Sequence, residues 1–216
     1  MIWIKLAEGI YEGKPIPAEI AQALKLANIP QSVVNTHRLQ AWEHRSGDES
    51  WWATVEAYAR GELGHPFLTL LGQPGLGKTH LGCAIALEWL ERGKTVLYYQ
   101  VEGLLDALRD GYRLWEKGDH DGYHRLLSFT HNCSLLILDD LGAQKETEWA
   151  AAKLDQIIDD RYINKKPLIV TSNLAMDRLP DRIADRFREG VVIHLKGTSY
   201  RRQRGVSKTK PEREIE

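Results

Sequence analysis

The run Gly72-Gln73-Pro74-Gly75-Leu76-Gly77-Lys78-Thr79 sets glycines, a lysine and a hydroxyl at the spacing G-x-x-x-x-G-K-[ST]. Residues of these types, in this order, can wrap a polyphosphate. Glycines let the backbone close round the anion, so that several N–H groups and a helix N-terminus point at it. Lys78 is then placed to reach the β- and γ-phosphates, and the Thr79 hydroxyl to ligate Mg²⁺. His80 follows directly and opens the next element. The competing reading is a glycine-rich turn carrying a solvated lysine. Context weighs against it. Phe67-Leu68-Thr69-Leu70-Leu71 is a short apolar run of the buried-strand kind, and residues 80–92 read as a helix.

Two further groups carry chemistry at strand ends. Asp139 and Asp140 follow the apolar run Leu135-Leu136-Ile137-Leu138. A hydrophobic strand ending in an acid delivers Asp139 to the rim beside the phosphate turn, where it can hold Mg²⁺, usually through water. Asp140 can orient or activate the attacking water. Thr171-Ser172-Asn173 ends a later strand, and strand ends of a parallel sheet share one rim. Asn173 is therefore expected near the γ-phosphate, or else it is an ordinary turn asparagine. Arg182, Arg186 and Arg188 cluster in Asp181-Arg182-Ile183-Ala184-Asp185-Arg186-Phe187-Arg188. An arginine donated across a subunit interface stabilises charge on a transferred phosphoryl group. The alternative is a charged surface helix with local Asp–Arg pairs.

These groups need a frame. From residue 66 onward apolar strands at 67–71, 95–99, 135–138, 168–171 and 191–195 alternate with helices at 80–92, 102–115, 123–131, 146–163 and 183–188. Residues 118–122 form a polar loop. The alternation predicts an α/β fold with a five-stranded parallel sheet flanked by helices on both faces. In the helix at 146–163, Ala150, Leu154, Ile157, Ile158 and Tyr162 make the core-facing stripe.

Residues 1–60 differ. They hold Trp3, Trp42, Trp51 and Trp52 of seven tryptophans, and no long apolar strand. Ile20, Ala23, Leu24 and Ala27 predict a short helix after Pro17, and residues 49–60 a second one, with Ser46-Gly47-Asp48 supplying turn and cap. The tryptophans serve either core packing or a docking surface. The expected domains are a short helical N-terminal segment at 1–47, an ATPase core at 48–204 and a charged, flexible tail at 205–216.

Bulk properties exclude several classes. A net charge of −1 over 216 residues means that any nucleic-acid contact comes from a local patch. Cys83 and Cys133 form no zinc site of the usual spacing and read as small core residues. No apolar run spans a membrane and no signal-peptide pattern opens the chain, so a cytoplasmic protein is expected.

The motifs GQPGLGKTHL (72–81), LLILDDLG (135–142), TSN (171–173), DRIADRFR (181–188) and SYR (199–201) stand in order over roughly residues 50–204. Together they resemble the AAA+ ATPases of the DnaC/IstB type, P-loop NTPases that load bacterial and phage helicases or assist insertion-sequence transposition. The resemblance implies ATP and Mg²⁺ as cofactors, with hydrolysis completed between neighbouring subunits of a self-associated spiral. By position it makes Gly72, Gln73, Pro74, Gly75, Leu76, Gly77, Lys78, Thr79 and His80 the nucleotide cradle. It makes Thr79 and Asp139 the metal residues, and Lys78, Asp140, Asn173, Arg186 and Arg201 the catalytic set. Arg186 matches the arginine finger and Arg201 a sensor-2-like arginine. The chain departs from many AAA+ proteins in carrying Asp140 where Glu is common, which implies slow hydrolysis, and in showing no obvious C-terminal helical lid.

In the loader branch the helical stretch between the second strand and the acidic pair touches single-stranded DNA. Here Tyr112 and Arg113 resemble that contact, with Trp115 and Lys117 nearby, although Tyr112 also fits the apolar face of its helix. Residues 196–210 hold Lys196, Arg201, Arg202, Arg204, Lys208 and Lys210 and no acid, which suits either counterion release on nucleic acid or a solvated terminus. The expected partners are a hexameric replicative helicase, single-stranded DNA and further copies of the chain, with no membrane. The runner-up is a transposition helper on double-stranded DNA, working with a transposase. A third possibility is a nucleotide-binding interaction module with negligible hydrolysis.

Overall fold

The computed structural model describes residues 2–7, 10–14, 18–29, 38–42, 44, 47–62, 64–116 and 121–200; side chains are described from residue 22 onward, those of 115, 116 and 121 apart. In chain order the elements are β1 (Ile2–Ala7), β2 (Ile10–Lys14), α1 (Ala18–Leu26), α2 (Glu49–Arg60), β3 (Phe67–Leu71), α3 (Lys78–Glu91) and β4 (Val96–Gln100). They continue as α4 (Val101–Glu116), α5 (Asp121–Asn132), β5 (Leu135–Leu141), α6 (Glu148–Ile163), β6 (Leu168–Ser172), α7 (Asp181–Glu189) and β7 (Val191–His194).

The five later strands form one sheet in the order β4-β5-β6-β3-β7, and every pairing in it is parallel. Strands β3 and β6, at its centre, are buried along their whole length. Such burial on both faces is why these segments read as unbroken apolar runs. On one face Leu68, Leu70, Ile137 and Ile169 meet Leu81 and Ile85 of α3 and Val55 and Tyr58 of α2. On the other, Leu136, Leu138 and Val170 meet Leu104 and Leu108 of α4, Leu154 and Ile158 of α6, and Phe187 of α7. Thr147 caps α6 by accepting the Ala150 N–H at 3.1 Å, as its position before the helix favours. Cys83 and Cys133 are both free and buried.

The first sixty residues depart from the sequence-based expectation in their opening hairpin and at Asp48. Strands β1 and β2 pair as an antiparallel hairpin ahead of the expected helix. Helix α1 then leads into the core, because Leu24, Ala27 and Ile29 join the same apolar cluster as α3 and the sheet. Asp48, expected to cap α2, makes no side-chain cap bond there; its carboxylate accepts the Trp42 indole N–H at 2.9 Å.

Arg161 is the largest fully buried side chain. Its guanidinium donates to the carbonyls of Thr130 (2.7 Å), Cys133 (3.1 Å) and Pro167 (2.6 Å). It thus joins the C-terminal end of α5, where the helix dipole favours a cation, to the starts of β5 and β6. Burial lowers its pKa, and the neighbouring Cys133 and Asp160 oppose that shift. Arg161→Met keeps the apolar stem but strands three carbonyls. The expected loss is about 3 kcal/mol, a fall of roughly 10 °C in Tm for a chain of this size. Thermal unfolding checks this, and an unchanged Tm would mean that water replaces the guanidinium.

Candidate nucleotide site

The residues singled out by spacing converge at the C-terminal rim of the sheet. After β3 the chain passes through left-handed glycines at Gly72, Gly75 and Gly77 (φ 151°, 82° and 93°) and enters α3 at Lys78. Two of these positions exclude any side chain. A Cβ on Gly72 would lie 2.6 Å from the Leu195 carbonyl oxygen, and one on Gly77 would lie 2.5 Å from the Trp42 ring. The turn is therefore pinned between β7 and the N-terminal segment, with its amides at the start of a helix. That is an anion-binding arrangement.

Lys78 lies almost fully buried. Its ammonium donates to the carbonyls of Gly72 (2.6 Å) and Gln73 (2.9 Å) and to Asn173 Oδ1 (2.8 Å). Asn173 in turn donates from Nδ2 to Asp140 Oδ1 at 2.6 Å. A single chain of hydrogen bonds thus runs from the phosphate turn through Asn173 to the acid expected to handle water. Asp140 itself has φ 60°, and the β5–β6 register shifts between Leu138 and Leu141. Left-handed backbone is tolerated by Asp and Asn better than by other side-chain-bearing residues. The turn explains why a short acid suits this position: the bulge swings Asp140 toward Asn173.

Asp139 is buried and holds the centre of the site. It accepts from the Thr79 hydroxyl (3.0 and 3.1 Å to its two oxygens), the Thr171 hydroxyl (2.6 Å) and the Tyr98 hydroxyl (2.8 Å). Thr171 Oγ1 also accepts the Asp140 N–H at 2.9 Å. The donors here are oxygens, which suit a hard cation such as Mg²⁺. Among the described residues no cluster of three or more His, Cys, Asp or Glu side chains could hold a metal alone. One carboxylate and one hydroxyl would leave the other positions of such an ion to water and phosphate oxygens.

Some participants were not visible in the sequence. Trp42 packs its ring against Gly77, edge-on to His80 (5.6 Å between centroids) and Tyr200 (5.7 Å), and stacks near Trp52 (6.2 Å). His80 Nε2 lies 3.0 Å from the Arg38 carbonyl oxygen. The Tyr200 N–H donates to the Gly75 carbonyl at 2.9 Å, so the Ser199-Tyr200 end of the chain returns to the phosphate turn. Lys196 is exposed, whereas Arg201 and the rest of the basic tail lie outside the described residues. So do Lys117 and the side chain of Trp115. Tyr98 and Thr171 contact Asp139 from strands on either side of it, which the linear motif could not reveal.

Arg186 does not point into this rim. Its guanidinium pairs with Asp159 of α6, donates to the Arg182 carbonyl at 2.7 Å and lies over the Tyr162 ring at 5.4 Å. Arg182 also pairs with Asp159, so the two arginines share one face of the helix. Among the described residues Arg188 makes only the local pair with Asp185, at 2.6 Å. On α4, Tyr112 is 40% exposed, while Leu105 and Leu108 are buried. Its ring meets Tyr123 edge-on at 5.8 Å. Tyr112 thus sits at the margin of the core, against the buried Tyr123 and beside Arg113, whose side chain is largely exposed and 3.4 Å from Asp110.

Comparison with known proteins matches this geometry. The family model described as IstB-like ATP binding protein covers residues 65–207. The replicative helicase loader DnaC of Escherichia coli K12 is 36% identical over 123 residues, which span 55% of this chain and 49% of that protein. The Geobacillus stearothermophilus insertion sequence IS5376 putative ATP-binding protein is 29% identical over 145 residues, 62% of this chain and 55% of that one. The chain thus spans about half the length of these curated relatives. A crystal structure of the DnaC helicase loader superposes with a TM-score of 0.63 at 23% identity, covering 77% of this chain and all of that one, and so shares the fold. With a matched model over most of its length and an intact phosphate turn, this chain belongs to the IstB-like ATP-binding family of AAA+ P-loop proteins.

Proposed function

We propose that this chain is an ATP- and Mg²⁺-dependent AAA+ ATPase that acts as a cytoplasmic helicase loader. It binds ATP on residues 72–80, touches single-stranded DNA through Tyr112 and Arg113, and helps place a hexameric replicative helicase. The observation that carries the catalytic half is the linked set Lys78–Asn173–Asp140 beside Thr79–Asp139. A water-activating carboxylate, a hydrogen-bonding asparagine and a phosphate-binding lysine, linked through the asparagine, suit hydrolysis by positioning and charge stabilisation. The similarity to DnaC supports the loading half. Copies associate head to tail, and Arg186 reaches the neighbour's nucleotide once its pairing with Asp159 is exchanged. Residues 1–47 form the helicase-contacting element, and Arg201 senses the nucleotide from the tail.

The similarity to the IS5376 protein favours a second reading, a transposition helper that binds duplex DNA and a transposase. The ATPase core serves both equally, so DNA preference separates them. Fluorescence anisotropy with single- and double-stranded oligonucleotides, each with and without ATP and Mg²⁺, is the test. Loading predicts ATP-dependent preference for the single strand, weakened roughly tenfold by Tyr112→Ala, since stacking on one base contributes about 1–3 kcal/mol. ATP-dependent preference for the duplex would replace this reading with the transposition one.

A further inference from the structure

The side chains that touch Asp139 do not all belong to the nucleotide motifs. We propose that Tyr98 is a positioning residue for the Asp139 carboxylate, and that the turn after α1 fixes Tyr98 in its place. This rests on the reading of Asp139 as the Mg²⁺-holding acid.

The argument begins with the pleat. Tyr98 of β4 pairs in register with Ile137 of β5. Side chains at 137 and 139 share one face of that strand. A tyrosine opposite Ile137 is long enough to reach diagonally to Asp139, and its hydroxyl donates to Oδ2 at 2.8 Å. The ring is buried within the apolar cluster that includes α3. A buried phenol requires a partner, and the carboxylate supplies it. Thr79 and Thr171 take further acceptor positions of the same carboxylate. Three hydroxyls from α3, β4 and β6 therefore fix its plane.

What fixes Tyr98 is the second observation. β4 is an edge strand, and its outer side is met by the chain just after α1. The Tyr98 N–H donates to the Ala27 carbonyl at 2.8 Å. Asn28, in left-handed backbone at φ 58°, returns a bond from Nδ2 to the Tyr98 carbonyl at 3.1 Å. One residue of the edge strand is thus clamped by its backbone to the N-terminal segment and by its side chain to the acid of the nucleotide site. Partners that orient a metal-holding group are worth about 10- to 100-fold in metal affinity.

The test is the Mg²⁺ dependence of nucleotide binding, followed with a fluorescent ATP analogue on the full chain. Four proteins are compared: the native chain, Asp139→Asn, Tyr98→Phe and Asn28→Gly, glycine being chosen because it accepts the left-handed backbone. Tyr98→Phe is expected to raise half-saturating Mg²⁺ about tenfold, with affinity for the analogue in EDTA unchanged. Asn28→Gly should shift it the same way by a smaller factor. Since Asn28 acts through Tyr98, the double variant should shift no further than Tyr98→Phe alone. If Asp139→Asn leaves the Mg²⁺ curve unmoved, the reading of Asp139 fails. If Asp139→Asn moves it and Tyr98→Phe does not, or if Tyr98→Phe weakens binding equally in EDTA, Tyr98 is only core. Asn28→Gly, which changes only an exposed side chain, keeps the test decisive should Tyr98→Phe fail to fold.

Discussion

Lys78→Ala is expected to weaken ATP binding by roughly 100-fold while leaving the fold intact. Charge-assisted hydrogen bonds contribute about 1.5–3 kcal/mol each, and 1.4 kcal/mol is about a factor of ten in affinity. Losing the ammonium removes such bonds to phosphate. It also releases Asn173, which now shares that ammonium with the Gly72 and Gln73 carbonyls. Equilibrium nucleotide binding measures the effect, and circular dichroism checks the fold. Unchanged affinity would sink the phosphate-turn assignment.

Asp140→Asn carries the other large effect, and it separates binding from hydrolysis. Asparagine tolerates the left-handed backbone at position 140, and its amide oxygen can still accept from Asn173 Nδ2. Backbone, bulge and contact are kept; the negative charge and proton-accepting capacity are lost. ATP affinity is expected to stay within about threefold, because the phosphate-turn donors and Asp139 are untouched, while hydrolysis falls roughly 100-fold, the lower range for loss of a general base. Phosphate release under single-turnover conditions reads the second quantity. Undiminished turnover would hand the water-activating role to another group.

How much of this was legible depended on how local each determinant was. The phosphate turn could be read because its glycines, lysine and threonine are consecutive, and their strand and helix flank them directly. Asp139, Asp140 and Asn173 could be placed because parallel strands deliver their ends to one rim. The hairpin of β1 and β2 was not legible: Ile2-Trp3-Ile4-Lys5-Leu6-Ala7 does not alternate cleanly, and Glu8-Gly9 is not a strong two-residue hairpin signal. The left-handed turn at Asp140 depends on a register shift against β6, which one strand's sequence does not record. Asp48 looked like a helix cap by position, but a buried indole N–H six residues earlier claims its carboxylate. Tyr98 read as an ordinary strand aromatic, because its role appears only when β4 lies beside β5 and the turn after α1 closes the edge. The tryptophans stood between core packing and a docking face, and Trp42 is buried among the aromatic neighbours of the phosphate turn.

That last placement gives the molecule an optical property. Trp42 rests on Gly77, with Trp51 and Trp52 each about one ring's breadth away (6.0 and 6.2 Å between centroids). Nucleotide bound on that turn is therefore expected to change the emission of these indoles, and a fluorescence titration of the native chain with ATP checks it.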